Sequence, residues 1–236
     1  MRPYDSDMRI RHPACQAIGL AAILVPCLAL AHGVAGGDAA YVASSRGVNV
    51  FPFMYLGAKH MVTGYDHLLF LAGVIFFLYR LKDVALYVTL FAVGHSTTLL
   101  AGVLGGIHAN AYIVDAIIGL SVAYKAFENL GGFRRLGWQI DSRVAVLVFG
   151  FAHGFGLATK LQELPLSPEG LAANLVSFNV GVELGQLAAL SVILLAFNFW
   201  RRSRSFLSGA WTANVLIMAA GFVLIGYQLA GYWRGA

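Results

Sequence analysis

The stretch "FPFMYLGAKHMVTGYDHLLFLAGVIFFLY", Phe51–Tyr79, reads as a membrane span. Yet His60, Asp66 and His67 fall within eight residues in its middle. An ionisable side chain at bilayer depth costs about 2.5–3.5 kcal/mol on insertion scales, so such groups face a protein interior or a water-filled cavity. Three of them this close together are hard to explain by packing alone. The stretch therefore raises the fold and the function at once: a membrane helix that carries a polar site.

The rest of the chain agrees with the membrane reading. Of 236 residues, 59% are hydrophobic and 11% are charged, against about 25% charged in soluble domains. So little charge cannot cover a soluble globule. The formal net charge of +5 does not point to nucleic acid, because the basic residues sit in short clusters between apolar runs, where they orient a membrane protein. Spans need roughly 20 apolar residues. Six are expected: Phe51–Tyr79, Val84–Leu104, Ala111–Leu130, Val144–Leu161, Leu171–Trp200 and Ala210–Trp233. The expected fold class is an all-α polytopic membrane helix bundle with one transmembrane domain over residues 51–236. A short extracytoplasmic segment, residues 32–50, precedes it.

Residues 1–31 have the build of a secretory signal peptide. Arg9 and Arg11 precede an apolar run from Ala14 to Leu30, and Ala29 and Ala31 suit a signal peptidase. Cleavage after Ala31 removes both cysteines, Cys15 and Cys27. An uncleaved first helix is the alternative and makes seven helices. In either case the Phe51 span enters from outside. The basic loops Arg80–Asp83, Arg134–Arg143 and Arg201–Arg204 then share one side. The loop Gly105–Asn110, which has no fixed charge, and the acidic loop Gln162–Gly170 share the other. The positive-inside rule makes the basic side cytoplasmic and puts the mature N-terminus and the C-terminus outside.

Costly polar groups recur in five spans. His95 precedes Ser96, Thr97 and Thr98; Asp115, Lys125, Glu128 and Asn129 occupy the third span; His153 lies in "FAHGFGLA"; Asn179, Glu183 and Gln186 lie in "FNVGVELGQ". Imidazole and carboxylate suit borderline divalent transition metals. The metal candidates are His60, Asp66, His67, His95, His153 and Glu183. Asp115, Glu128, Asn179 and Gln186 are accessory candidates. Asp115, near the outer end of its span, is either an entrance ligand or interfacial. Lys125 and Glu128 are expected to pair or snorkel near the inner end. His32 and His108 are expected to be solvated. Glycines flank many of these groups, among them Gly94, Gly154, Gly156, Gly181 and Gly185; they mark either close helix packing or carbonyls that reach an ion.

His60 and His67 are seven residues apart and share a helix face, with backbones about 10 Å apart along a straight helix. A single ion needs nitrogen at about 2.0–2.2 Å. Gly64 between them could break the helix and bring them together, as transporter sites do. Alternatively the two serve successive positions along a path. The spacing leaves both open.

"HMVTGYDH", followed in order by "GHSTTLL", "AFEN", "AHGFGLA" and "FNVGVELGQ", resembles the HupE/UreJ family of membrane proteins, from about Phe51 to the end of the chain. The resemblance implies a small permease for nickel or cobalt. In it His60, Asp66 and His67 take the first-span metal motif and His153 takes the histidine of the second motif. Better-known members carry a further His before "AHG" and a Glu after it. Phe149 and Gly156 stand there instead, which leaves room for His95 or Glu183 to complete the site. The expected location is a bacterial inner membrane. No covalently bound cofactor is expected. The ion is the substrate, with zinc, copper or iron also within the chemistry of the ligands. No nucleotide partner is expected, since GxxxxGK[ST] is absent, nor is a nucleic acid. Partners beyond lipid and metal would be further copies or subunits of a membrane complex. The competing readings are a membrane-embedded metalloenzyme and a metal-binding assembly subunit. Against the enzyme stand the absence of HExxH and of paired Glu-x-x-His motifs.

Overall fold

A computed structural model describes residues 36–235. The segment read as a signal peptide, both cysteines and His32 lie outside the described residues. Among those described there are helices and no strands. The helices are α1 (Gly36–Ser44), α2 (Val50–Thr63), α3 (Tyr65–Ile75), α4 (Leu81–Gly105), α5 (Ala111–Asn129), α6 (Gly132–Arg135), α7 (Ser142–Gln162), α8 (Leu171–Arg201) and α9 (Phe206–Arg234). Four of them, α4, α7, α8 and α9, are long and apolar enough to cross a membrane. The protein is a polytopic membrane protein. Its large exposed side chains are of the kind that faces lipid, including Phe51, Phe199, Leu207, Trp211 and Trp233.

The Phe51–Tyr79 span is not one helix. It breaks at Gly64 and its helical part ends at Ile75. At Gly64 ψ is 94°, far from the helical value of about −42°. The Gly64 amide still donates to the His60 carbonyl at 2.8 Å, and the Leu68 amide donates to the Gly64 carbonyl at 3.0 Å. The two helices therefore join through a single residue. The end of α3 is held from outside. The Arg201 guanidinium donates to the carbonyls of Ile75 and Phe76, both at 2.7 Å, and lies over the Tyr79 ring. A cation at a helix C-terminus meets the negative end of its dipole and satisfies orphan carbonyls.

Three helix pairs form the bundle, and each meets through glycine from both sides. Between α2 and α8, a methyl group on Gly57 would land on the Phe178 carbonyl, and one on Gly185 would stand 2.6 Å from the Ala58 carbonyl. Between α4 and α7, Gly94 faces the Leu147 carbonyl and Gly150 the Phe91 carbonyl, each at 2.6 Å from where a Cβ would sit. Between α5 and α9, Gly221 lies against the Ala123 backbone and Gly119 against Gly221. Lipid tails are as apolar as leucine, so close backbone approach is what holds helices together in a bilayer. The glycines beside the polar residues thus serve packing first. One consequence is positional: with no room for a Cβ, the rotation and register of each pair are set within a fraction of an ångström.

Candidate metal centre

The break at Gly64 starts a new helix inside the bundle. Asp66 falls in the first turn of α3, where a carboxylate meets the positive end of the helix dipole. Asp66 and His67 are both buried, 2% and 3% exposed. Asp66 Oδ1 accepts from His67 Nδ1 at 3.1 Å. An ionised carboxylate only accepts, so this contact places the His67 proton on Nδ1. The Nε2 atom of His67 is buried and has no hydrogen-bond partner among the described residues. A histidine whose far nitrogen is held by a carboxylate is the arrangement a metal-ligating imidazole shows.

His67 is the hub of four imidazoles. Its ring centroid is 4.7 Å from that of His153 on α7, 5.2 Å from His60 on α2 and 5.8 Å from His95 on α4. The break has therefore brought His60 and His67 together, which a straight helix would not. Ligand atoms of Asp66, His67 and His153 all lie within 4.8 Å of one another. Donors that share one ion at about 2.1 Å stand at most about 4.2 Å apart. Small side-chain shifts would close the set.

Aromatic rings wall the cluster. The Phe91 ring lies 5.2 Å from His153 and 5.9 Å from His95, and the Phe70 ring lies 5.2 Å from His153. Both phenylalanines are fully buried. Rings in these positions exclude water, and the low dielectric that results strengthens the attraction between Asp66 and a cation. His95 is 1% exposed, and neither of its ring nitrogens has a hydrogen-bond partner among the described residues. A buried imidazole left this way costs about 1–3 kcal/mol.

The remaining candidates stand elsewhere. Glu183 on α8 is half-buried, with Ser96 Oγ of α4 3.5 Å from its Oε1. Asp115 is 3% exposed, and its Oδ2 lies 3.8 Å from Lys160 Nζ on α7. Glu128 accepts from Lys125 at 2.6 Å and from Ser142 at 3.2 Å, so the expected pair forms. That pair borders a cavity of about 540 Å³ lined also by Tyr87, Phe133 and Trp138. Gln186 donates weakly to the Val88 carbonyl at 3.5 Å, and Asn179 Oδ1 is buried without a hydrogen-bond partner among the described residues.

Two participants were not singled out in the sequence. Lys160 lies seven residues after His153, on the same helix face, so that spacing was a signal. Ser121, whose Oγ is 2.9 Å from His153 Nε2, had none. Serines inside spans are common and this one stands in an otherwise apolar run. A family model described as "HupE / UreJ protein" matches residues 37–235. No curated protein and no solved structure matches.

Proposed function

The chain belongs to the HupE/UreJ family, and on that premise we propose that it is a secondary permease for a divalent transition metal, nickel or cobalt, taken up across a bacterial inner membrane. The observation that carries the proposal is His67 Nε2, a buried lone-pair nitrogen left open by the Asp66 contact on the other side of the ring. A helix-locking polar network would close on itself. This one ends in nitrogen atoms, His67 Nε2 and those of His95, that meet no hydrogen-bond partner among the described residues.

In this reading α2 and α3, joined at Gly64, make one crossing. The 19 residues of α5, about 28 Å long at 1.5 Å per residue, make another, and with the four long apolar helices the crossings number six. Asp66 offsets part of the charge of the dication, and His67 and His153 replace part of its water shell. His60 and His95 border the hub and extend it along the path. Glu183 stands between α4 and α8 as a group of the path rather than of the central set. Two positive charges moving inward gain about 4.6 kcal/mol per 100 mV, so uptake needs no nucleotide.

Purified protein in liposomes, with an inside-negative potential, should take up nickel or cobalt saturably and more slowly take up zinc, copper or iron. Potential-independent leakage of all five, equal to that of empty liposomes, would overturn the permease. Orientation is tested separately. A reporter fused after Arg204 should read cytoplasmic and one within Gln162–Gly170 periplasmic, and the reverse at both sites would invert the topology.

A further inference from the structure

Ser121 and His153 are both fully buried, on α5 and α7. The Ser121 hydroxyl lies 2.6 Å from the Ile118 carbonyl of its own helix and 2.9 Å from His153 Nε2. A hydroxyl has one proton and two lone pairs, and a carbonyl can only accept. At 2.6 Å the proton goes to Ile118. Toward His153 the Ser121 oxygen is then left as an acceptor, so Nε2 carries the ring proton. The lone pair of a neutral ring in that state is on Nδ1.

His67 is the mirror case. Its Nδ1 gives a proton to Asp66, which leaves the lone pair on Nε2. Two imidazoles 4.7 Å apart are therefore held in opposite tautomers by two different partners, a carboxylate and a serine. Which nitrogen of a ligating histidine meets an ion is set by the bond its other nitrogen makes.

We propose that Ser121 is a positioning residue, which holds His153 in its Nε2–H tautomer and so makes Nδ1 the nitrogen that meets the metal substrate. This rests on the permease reading for what Nδ1 does, but the tautomer itself is a property of the metal-free protein. A threonine at this position keeps the oxygen and the i−3 carbonyl bond. An alanine leaves Nε2–H facing an apolar helix and removes the Ser121 share of the tautomer preference.

The test is a ring-15N spectrum of histidine-labelled, metal-free, full-length protein in lipid. The His153 signals are identified by their loss in His153→Gln. Wild type and Ser121→Thr should show protonated Nε2 and bare Nδ1, and Ser121→Ala should show both tautomers. A protonated Nδ1 in wild type, or a Ser121→Ala spectrum unchanged from wild type, would overturn the assignment. In uptake, Ser121→Ala should raise the half-saturating nickel concentration about tenfold or more, with Ser121→Thr restoring it to within about twofold. Added nickel should broaden the His153 signals. If the tautomer is as expected and nickel leaves these signals untouched, Ser121 keeps its assignment and the permease reading loses its His153 ligand.

Discussion

Two sets of polar groups inside the bundle each draw on both α5 and α7, and they differ in whether they close on themselves. In the first, Lys125 Nζ donates to Glu128 at 2.6 Å and to Ser142 at 2.8 Å, and Ser142 donates on to Glu128 at 3.2 Å. Every charge there is answered by a neighbour. In the second, Ser121 and Asp66 anchor the rings of His153 and His67, while His67 Nε2 and both nitrogens of His95 meet no hydrogen-bond partner among the described residues. Buried polar groups in native proteins are almost always satisfied, so those that are not need an explanation. Both sets are costly residues in apolar helices, but the sequence already suggested pairing or snorkelling for Lys125 and Glu128 and a polar site around His67. The closed set satisfies itself, and in the permease reading proposed above the open one receives the ion.

The largest effect should come from the open set. His67→Ala and Asp66→Asn should each abolish saturable metal uptake in liposomes loaded with matched amounts of inserted protein. Asp66→Asn is the sharper of the two, because it keeps the shape and removes the charge that offsets a dication. Wild-type rates in both would make the histidine cluster a second packing network and erase the contrast.

The closed set should respond in stability. Lys125→Met leaves Glu128 as a partly buried charge without its partner and should cost about 3 kcal/mol, read as a lower melting temperature in detergent. Replacing both, as Lys125→Met with Glu128→Leu, should recover most of that loss, while in the proposed reading, where neither group is a ligand, the half-saturating metal concentration stays within about twofold of wild type. Lost uptake in a double variant of normal stability would move Glu128 into the path.

Gly64 joins the two helices at the open set, and its replacement should have a middling effect. A Cβ there would stand 3.0 Å from both the His60 carbonyl and His67 Nδ1, and 3.3 Å from Asp66 Oδ1. Gly64→Ala should therefore disturb the Asp66–His67 bond and weaken metal affinity about tenfold, with the maximal uptake rate less affected. A variant with lowered expression but wild-type affinity would show that the glycine serves the fold alone. The smallest effect belongs to Glu183→Gln. Its carboxylate stands against Ser96, apart from the hub, so a change in uptake within about fivefold is expected, and complete loss would bring Glu183 into the central set.

Some of this was legible along the chain. The break at Gly64 was one of two options that the His60–His67 spacing allowed, because glycine is a weak helix former and stands between the two histidines. The Lys125–Glu128 pair was one of two options, pairing or snorkelling, that its place near the inner end of the span allowed. Asp115 was not so readable. Its place near a span end fitted an entrance ligand or an interfacial residue, and the sequence held no sign that it would be buried beside Lys160 of α7. The flanking glycines were equally ambiguous until Gly94, Gly150, Gly57 and Gly185 were seen against the backbones of their partner helices.

The amino-acid order by itself determined that this is a membrane protein, roughly where its apolar segments begin and end, and that His60, Asp66 and His67 share one span. Those follow from local rules: lipid demands long apolar helices, and residues eight or fewer apart fall within one such segment. Only the tertiary structure decided that His153, His95 and Ser121 join them and that Glu128 and Asp115 are answered by lysines instead. Those outcomes depend on the rotation and register of each helix against its neighbours. Glycine contacts between backbones set them, and no single helix carries that information alone.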